Sequence, residues 1–64
     1  MERLKELRIE KNLSQADLAK ATDLSQSSIA YWETGQREPN ARAVIVLARF
    51  FDVSTDYLLG EKDY

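Results

Sequence analysis

Apolar residues recur along the chain at intervals of three and four, the spacing that places side chains on one face of an α-helix. This periodicity predicts five helices, over residues 2–11, 15–21, 25–34, 41–51 and 54–59. Their apolar faces predict a shared core made of Leu4, Leu7, Leu18, Ala19, Ile29, Trp32, Val44, Leu47, Ala48 and Phe51. Helices this short are not stable alone, so each is expected to depend on its neighbours. The pattern therefore predicts an all-α fold.

Residues typical of helix ends separate these segments. A side-chain oxygen at an N-cap accepts a hydrogen bond from an N–H group of the first turn. Four residues are candidates for this role, namely Ser14, Ser25, Asn40 and Ser54. Asp17 follows the first of them by three residues and makes a weak form of the capping box. Asn12 and Gly35 are expected in the left-handed conformation that ends a helix.

The composition excludes several classes of function. A chain of 64 residues is expected to form one domain over residues 1–64, with residues 61–64 frayed. It contains no Cys and no His, so the usual zinc sites and nucleophilic catalytic arrangements lack their side chains. No apolar run approaches the roughly 20 residues of a membrane span, and no signal peptide is recognisable. We therefore expect a cytoplasmic protein that is not an enzyme and has no membrane contact.

The distribution of charge is more informative than the net charge of −2, which mildly opposes binding to nucleic acid. The acidity lies in residues 44–64, whereas residues 1–43 balance. Residues 24–35 read LSQSSIAYWETG, and their outward positions are small and polar rather than charged. Such side chains suit hydrogen bonding better than they suit solvation of a helix face.

The order of residue types over the second and third predicted helices favours a helix-turn-helix arrangement, in which a short turn joins two helices. Ala19 is small where the third helix would cross the second. Asp23 stands where the turn needs a left-handed backbone, a second choice to Gly at a cost of about 1 kcal/mol. Leu24 and Ile29 are apolar, as required to fix the angle between the two helices.

Two stretches, LSQADLAKATDLSQSSIAYWETGQREPN and VLARFFDVSTDYLLG, carry a resemblance to a known family. The combination of S-Q-x-x-L-A, S-Q-x-x-I, W-E-x-G and D-Y-L-L-G at these spacings resembles the Cro/CI-type (XRE) helix-turn-helix regulators of bacteria and phages. The resemblance covers residues 3–60. It implies a compact, five-helix, lambda-repressor-like DNA-binding domain and no cofactor.

The resemblance also implies roles for individual residues, because the third helix of this family enters the DNA major groove. The expected base contacts are Gln26, Ser27 and Tyr31. The expected phosphate contacts are Gln15, Ser28, Thr34, Arg37 and Arg42. A simpler interpretation remains open, in which the polar residues are good first-turn residues and the tyrosine is a plain surface aromatic.

Two further expectations concern stability and assembly. The family forms a buried ion pair at the positions of Arg8 and Glu33, which we expect here as a structural pair. Val46 and Phe50 depart from the family pattern, which keeps these positions polar or small, and are expected to share an outward face. Together with Leu58 they are a possible dimer surface.

The sequence therefore predicts a sequence-specific regulator that binds double-stranded DNA, as a homodimeric repressor on an inverted-repeat operator, in the nucleoid of a bacterial or phage-infected cell. One alternative is a module of the same fold that binds a protein partner, of the antitoxin or antirepressor type. Another is an activator or a restriction–modification controller.

Overall fold

A computed structural model describes residues 1–63 and shows five α-helices and no strand within them. The helices are α1 (Leu4–Glu10), α2 (Gln15–Thr22), α3 (Gln26–Thr34), α4 (Ala41–Phe51) and α5 (Thr55–Leu58). The all-α prediction is confirmed. Along this part of the chain, no helix has the length and apolar character needed to cross a membrane.

All four predicted N-caps are present. Ser25, Asn40 and Ser54 each accept a hydrogen bond from the backbone N–H three residues later. At α2 the capping box is complete, because Asp17 N donates to Ser14 Oγ at 2.9 Å and Ser14 N donates to Asp17 Oδ2 at 3.0 Å. These local bonds explain why each helix begins where it does.

The predicted ends of four helices are wrong by one or two residues. α3 begins at Gln26, because Ser25 is its N-cap. α1 begins at Leu4 because Arg3 has non-helical dihedral angles and no side chain caps this end. α2 continues to Thr22, whose hydroxyl donates to the carbonyl oxygen of Leu18 at 2.7 Å. α5 ends at Leu58 rather than Leu59.

Left-handed residues end three of the helices, as the sequence predicts for Asn12, Asp23 and Gly35, with φ of 57°, 58° and 78°. Asp52 has the same conformation, with φ of 57°, and ends α4. The sequence analysis missed this residue. Asp tolerates the left-handed conformation, but its presence in a sequence does not by itself predict that conformation.

One cluster of buried residues lies between the helices and contains Leu4, Leu7, Leu18, Ile29, Trp32, Ala43, Val44, Leu47, Ala48, Phe51 and Leu58. It includes the whole predicted core except Ala19, which is half-buried against it. Ala43 and Leu58 are additional members. α2 packs on α3 and α4, α1 packs on α3, and α5 packs on α4.

The predicted dimer surface is wrong in part. Leu58 is fully buried because the short α5 turns it into the core. Phe50 is half-buried and packs edge-to-face on Phe51, with ring centroids 5.0 Å apart. Val46 is also half-buried. The large hydrophobic residue that α4 exposes is instead Ile45.

Candidate nucleic-acid interface

The turn between α2 and α3 fixes the direction of α3. Asp23 adopts φ 58° and ψ 31°, and the backbone N–H of Leu24 donates to the carbonyl oxygen of Ala19 at 3.1 Å. Leu24 is half-buried and Ile29 is completely buried, so apolar contacts anchor the turn itself and the helix that follows it. α3 therefore leaves the turn at an angle set by the core.

Substituting the left-handed turn residue, Asp23→Gly, is expected to stabilise the fold by up to about 1 kcal/mol. The left-handed conformation costs free energy for an L-residue with a Cβ atom, whereas it costs glycine almost none. Denaturant titration of the variant measures the gain. The control is Lys20→Gly inside α2, which should lose about 1 kcal/mol because glycine weakens a helix interior. A loss of stability in Asp23→Gly would show that the aspartate contributes a contact of its own.

The first turn of α3 presents polar side chains to solvent. Gln26 and Ser27 are exposed, and no residue among 1–63 forms a hydrogen bond with the Gln26 side chain. Ser25 Oγ accepts from the N–H of Ser28 and donates to Ser28 Oγ at 2.8 Å. The Ser28 hydroxyl therefore keeps its own proton for another acceptor. This end of the helix combines free donors and acceptors with a capped backbone.

Tyr31 lies farther along α3 and is 38% exposed. The guanidinium carbon of Arg37 lies 4.7 Å from the centroid of its ring, a cation–π contact. This contact holds a positive charge, which comes from the loop after α3, beside the exposed phenol. The sequence analysis singled out both residues but did not foresee that they stack.

A buried carboxylate connects the beginning of α2 with the end of α3. Glu33 accepts from Arg8 Nε at 2.6 Å, from Arg8 Nη2 at 3.1 Å and from Gln15 Nε2 at 3.1 Å. Arg8 also donates to the carbonyl oxygen of Leu13 at 2.7 Å. The structure thus contains the ion pair expected from the sequence. The hydrogen bond from Gln15 is an addition to it.

The electrostatics of this network favour the charged pair. Burial raises the pKa of Glu33, but hydrogen bonds from Arg8 and Gln15, and the charges of Arg8 and Lys5, outweigh burial and lower that pKa overall. The hydrogen bond to Glu33 raises the pKa of Arg8. Glu33 is the only charged residue of α3 and is neutralised by Arg8, so α3 itself brings no net negative charge towards a polyanion.

The other residues expected to contact phosphate differ in whether their donor groups are free to do so. Gln15 uses one N–H of its amide for Glu33 and has a second N–H to donate. Thr34 Oγ1 already donates to the carbonyl oxygens of Ala30 and Tyr31, both at 3.2 Å, so its hydroxyl must rotate before it can donate to a phosphate. Arg42 is exposed near the start of α4.

A family model for helix-turn-helix proteins matches residues 4–58 of this chain. The chain therefore belongs to the XRE-type (Cro/CI) helix-turn-helix family, whose members are DNA-binding transcription regulators rather than enzymes. This result confirms the family resemblance seen in the sequence.

Three curated proteins illustrate the similarity. The transcriptional activator BcrR of Enterococcus faecalis is 37% identical over 62 residues, which cover 97% of this chain and 30% of BcrR. The transcriptional regulator AnsR of Bacillus subtilis is 39% identical over 62 residues, covering 97% and 53% of the two chains. Repressor protein C2 of Salmonella phage P22 is 34% identical over 58 residues, covering 91% and 27%. This chain spans about half or less of the length of these relatives. No solved structure gave a significant match.

Proposed function

We propose that this chain is a sequence-specific regulator that binds double-stranded DNA as a homodimer on an inverted-repeat operator and represses transcription by excluding polymerase. The proposal assigns residues 1–64 as its DNA-binding domain, acting in the cytoplasm without a cofactor. The observation that carries it is the exposed polar start of α3, held at a fixed angle to α2 by the left-handed turn at Asp23.

Base recognition is assigned to the outward face of α3. Gln26 is exposed and uncommitted, and a glutamine amide can bond to N6 and N7 of adenine together. The Ser27 hydroxyl can donate a hydrogen bond to an acceptor on a base edge or accept one from a donor. Tyr31 lies on the same face, where its ring contacts a thymine methyl group or its hydroxyl reaches a base.

Phosphate binding is assigned to groups on both sides of that face. Gln15 donates its second N–H, and Ser28 donates its free hydroxyl proton. Arg37 and Arg42 supply positive charge. Contacts of this kind position a protein on the duplex without reading sequence, and those made by cations make affinity fall with salt.

A dimer follows from the small number of cations near α3. One recognition helix without Lys or Arg provides limited affinity, whereas two linked copies combine their binding energies. The half-sites are then about 10 base pairs apart, one helical turn. An activator that binds in the same way is the second candidate, favoured by the similarity to the activator BcrR. The two differ in where the operator lies relative to the promoter.

Two substitutions are expected to affect DNA binding in different ways. Gln26→Ala should reduce discrimination at one base pair of each half-site by about 1–3 kcal/mol, because it removes a base contact. Arg37→Ala should weaken all sites alike and lower the salt dependence by about one phosphate contact. Selection from a random duplex library, followed by fluorescence anisotropy at several salt concentrations, measures both effects.

The matched control is Gln36→Ala, which removes the same amide from an exposed position outside α3 and should leave base preference unchanged. Unaltered base preference in Gln26→Ala would contradict the assignment of α3 as the reading helix. No enrichment of any duplex by the folded wild-type chain would contradict sequence-specific DNA binding and would favour a protein partner.

A further inference from the structure

Arg37 is the first cationic residue after a stretch of the chain that has none. Residues 21–36, which include all of α3, contain no Lys or Arg. Within residues 1–63 the salt bridges all use other cations, so no carboxylate neutralises the Arg37 guanidinium. Arg37 therefore brings an uncompensated positive charge to the end of α3, and its position bears directly on how that end meets a polyanion.

The backbone after α3 folds back onto Tyr31. Gly35 ends the helix in the left-handed conformation. The carbonyl oxygen of Tyr31 then accepts from the N–H of Gln36 at 3.0 Å and from the N–H of Arg37 at 3.5 Å. Such bonds satisfy carbonyl groups that the end of a helix leaves without partners. They tie the backbone of Arg37 to the residue whose side chain it also contacts.

The Tyr31 ring holds the Arg37 guanidinium without cancelling its charge. The guanidinium carbon lies 4.7 Å from the ring centroid. A carboxylate would also fix an arginine, but it would neutralise it, as Glu33 does for Arg8. A guanidinium stacked on an aromatic ring keeps its full charge, and its N–H groups lie in its own plane, where phosphate oxygens can accept from them.

This arrangement limits the motion of Arg37 before any ligand binds. A long side chain loses conformational entropy when a contact fixes it, and this loss opposes binding. Stacking on Tyr31 and the two backbone hydrogen bonds restrict Arg37 already in the free protein. A phosphate that meets this guanidinium therefore binds a cation that is largely in place.

We propose that Tyr31 is a positioning residue for Arg37, and that its ring holds the guanidinium where a DNA phosphate binds it. This inference rests on the proposed DNA-binding function and gives Tyr31 a role besides base recognition. Contacts to phosphate carry no sequence information. This part of the Tyr31 contribution therefore acts on every duplex alike, whereas a base contact acts only at the operator.

The first test uses a duplex of arbitrary sequence without an operator, with binding measured by fluorescence anisotropy. Tyr31→Leu should weaken this binding about two- to fivefold, the effect of losing an exposed cation–π contact. Tyr31→Phe keeps the ring and should recover most of that loss. Tyr31 is 38% exposed, so both variants should fold, which circular dichroism checks. Equal binding by Tyr31→Leu and the wild-type chain would overturn the inference.

A double-mutant cycle tests whether Tyr31 acts through Arg37. In a chain that carries Arg37→Ala, Tyr31→Leu should have little further effect on the same duplex, because no guanidinium remains to be positioned. The control combines Tyr31→Leu with Arg42→Ala, since Arg42 is exposed on α4 and has no contact with the ring. The losses of that pair should add. Additive losses for Tyr31 and Arg37 would contradict the positioning role.

Nuclear magnetic resonance measures the stacking without DNA. The δ-methylene protons of Arg37 should be shifted upfield by the ring current in the wild-type chain and in Tyr31→Phe, and this shift should disappear in Tyr31→Leu. Its absence from the wild-type chain would overturn the inference. A wild-type chain that binds no duplex would contradict the proposed function and this inference together. A wild-type chain that binds DNA equally well without the ring would contradict this inference alone.

Discussion

Replacing the buried carboxylate, Glu33→Gln, is expected to lower the free energy of unfolding by about 3 kcal/mol, much of what a domain of this size possesses. The Glu33 side chain is 3% exposed and the Arg8 side chain 12% exposed, so the substitution leaves a guanidinium buried without its counter-ion. Urea titration followed by circular dichroism measures the loss. Glu38→Gln is the control, because it neutralises an exposed glutamate and should change stability little.

The same network gives the wild-type protein a defined response to acid. The folded state lowers the pKa of Glu33 from its usual value of 4.5, so the stabilisation is present above that pH and is lost as the pH falls through the lower folded value. Asp17 acts in the same direction, because the hydrogen bond from the backbone N–H of Ser14 lowers its pKa. The free energy of unfolding of Glu33→Gln should therefore depend less on pH in the acid range than that of the wild-type protein. An unchanged acid profile and melting temperature would show that the ion pair is not stabilising.

The second large effect is expected from truncating α5 inside the core. Leu58→Ala should cost about 2–5 kcal/mol, because a completely buried leucine leaves a cavity when it is shortened. Its neighbour supplies the control, since Leu59 is 37% exposed and Leu59→Ala should cost far less. Thermal unfolding of the two variants compares them directly. Nearly equal melting temperatures, or altered association with normal stability in Leu58→Ala, would show that α5 is not packed as described.

The sequence predicted best those features that depend on neighbouring residues. N-caps, the complete capping box and the left-handed helix ends at Asn12, Asp23 and Gly35 are local, because each needs only a residue type and its immediate context. The helix period identified nearly all of the core for the same reason. Helix ends without a cap were less predictable, and α1 begins two residues later than expected.

Contacts between segments distant in the chain could not be predicted from local sequence patterns. The hydrogen bond from Gln15 to Glu33 joins residues 18 positions apart, and no periodicity signals it. Leu58 belongs to a helix of four residues, which is too short for a period to distinguish an inward from an outward position. Ile45 is apolar yet exposed, because its helix has more apolar positions than its inward face can bury.

The residues assigned to base recognition are exposed and contribute nothing to the core, which sets them apart from those that hold the fold together. Gln26 and Ser27 project from α3, whereas Ile29 and Trp32 on the opposite side anchor it. Exchanging exposed residues of this kind usually changes stability by less than about 0.5 kcal/mol. Under the proposed function, the preferred operator can therefore diverge rapidly between duplicated copies without endangering folding, and the same scaffold can be retargeted through a library confined to a few codons.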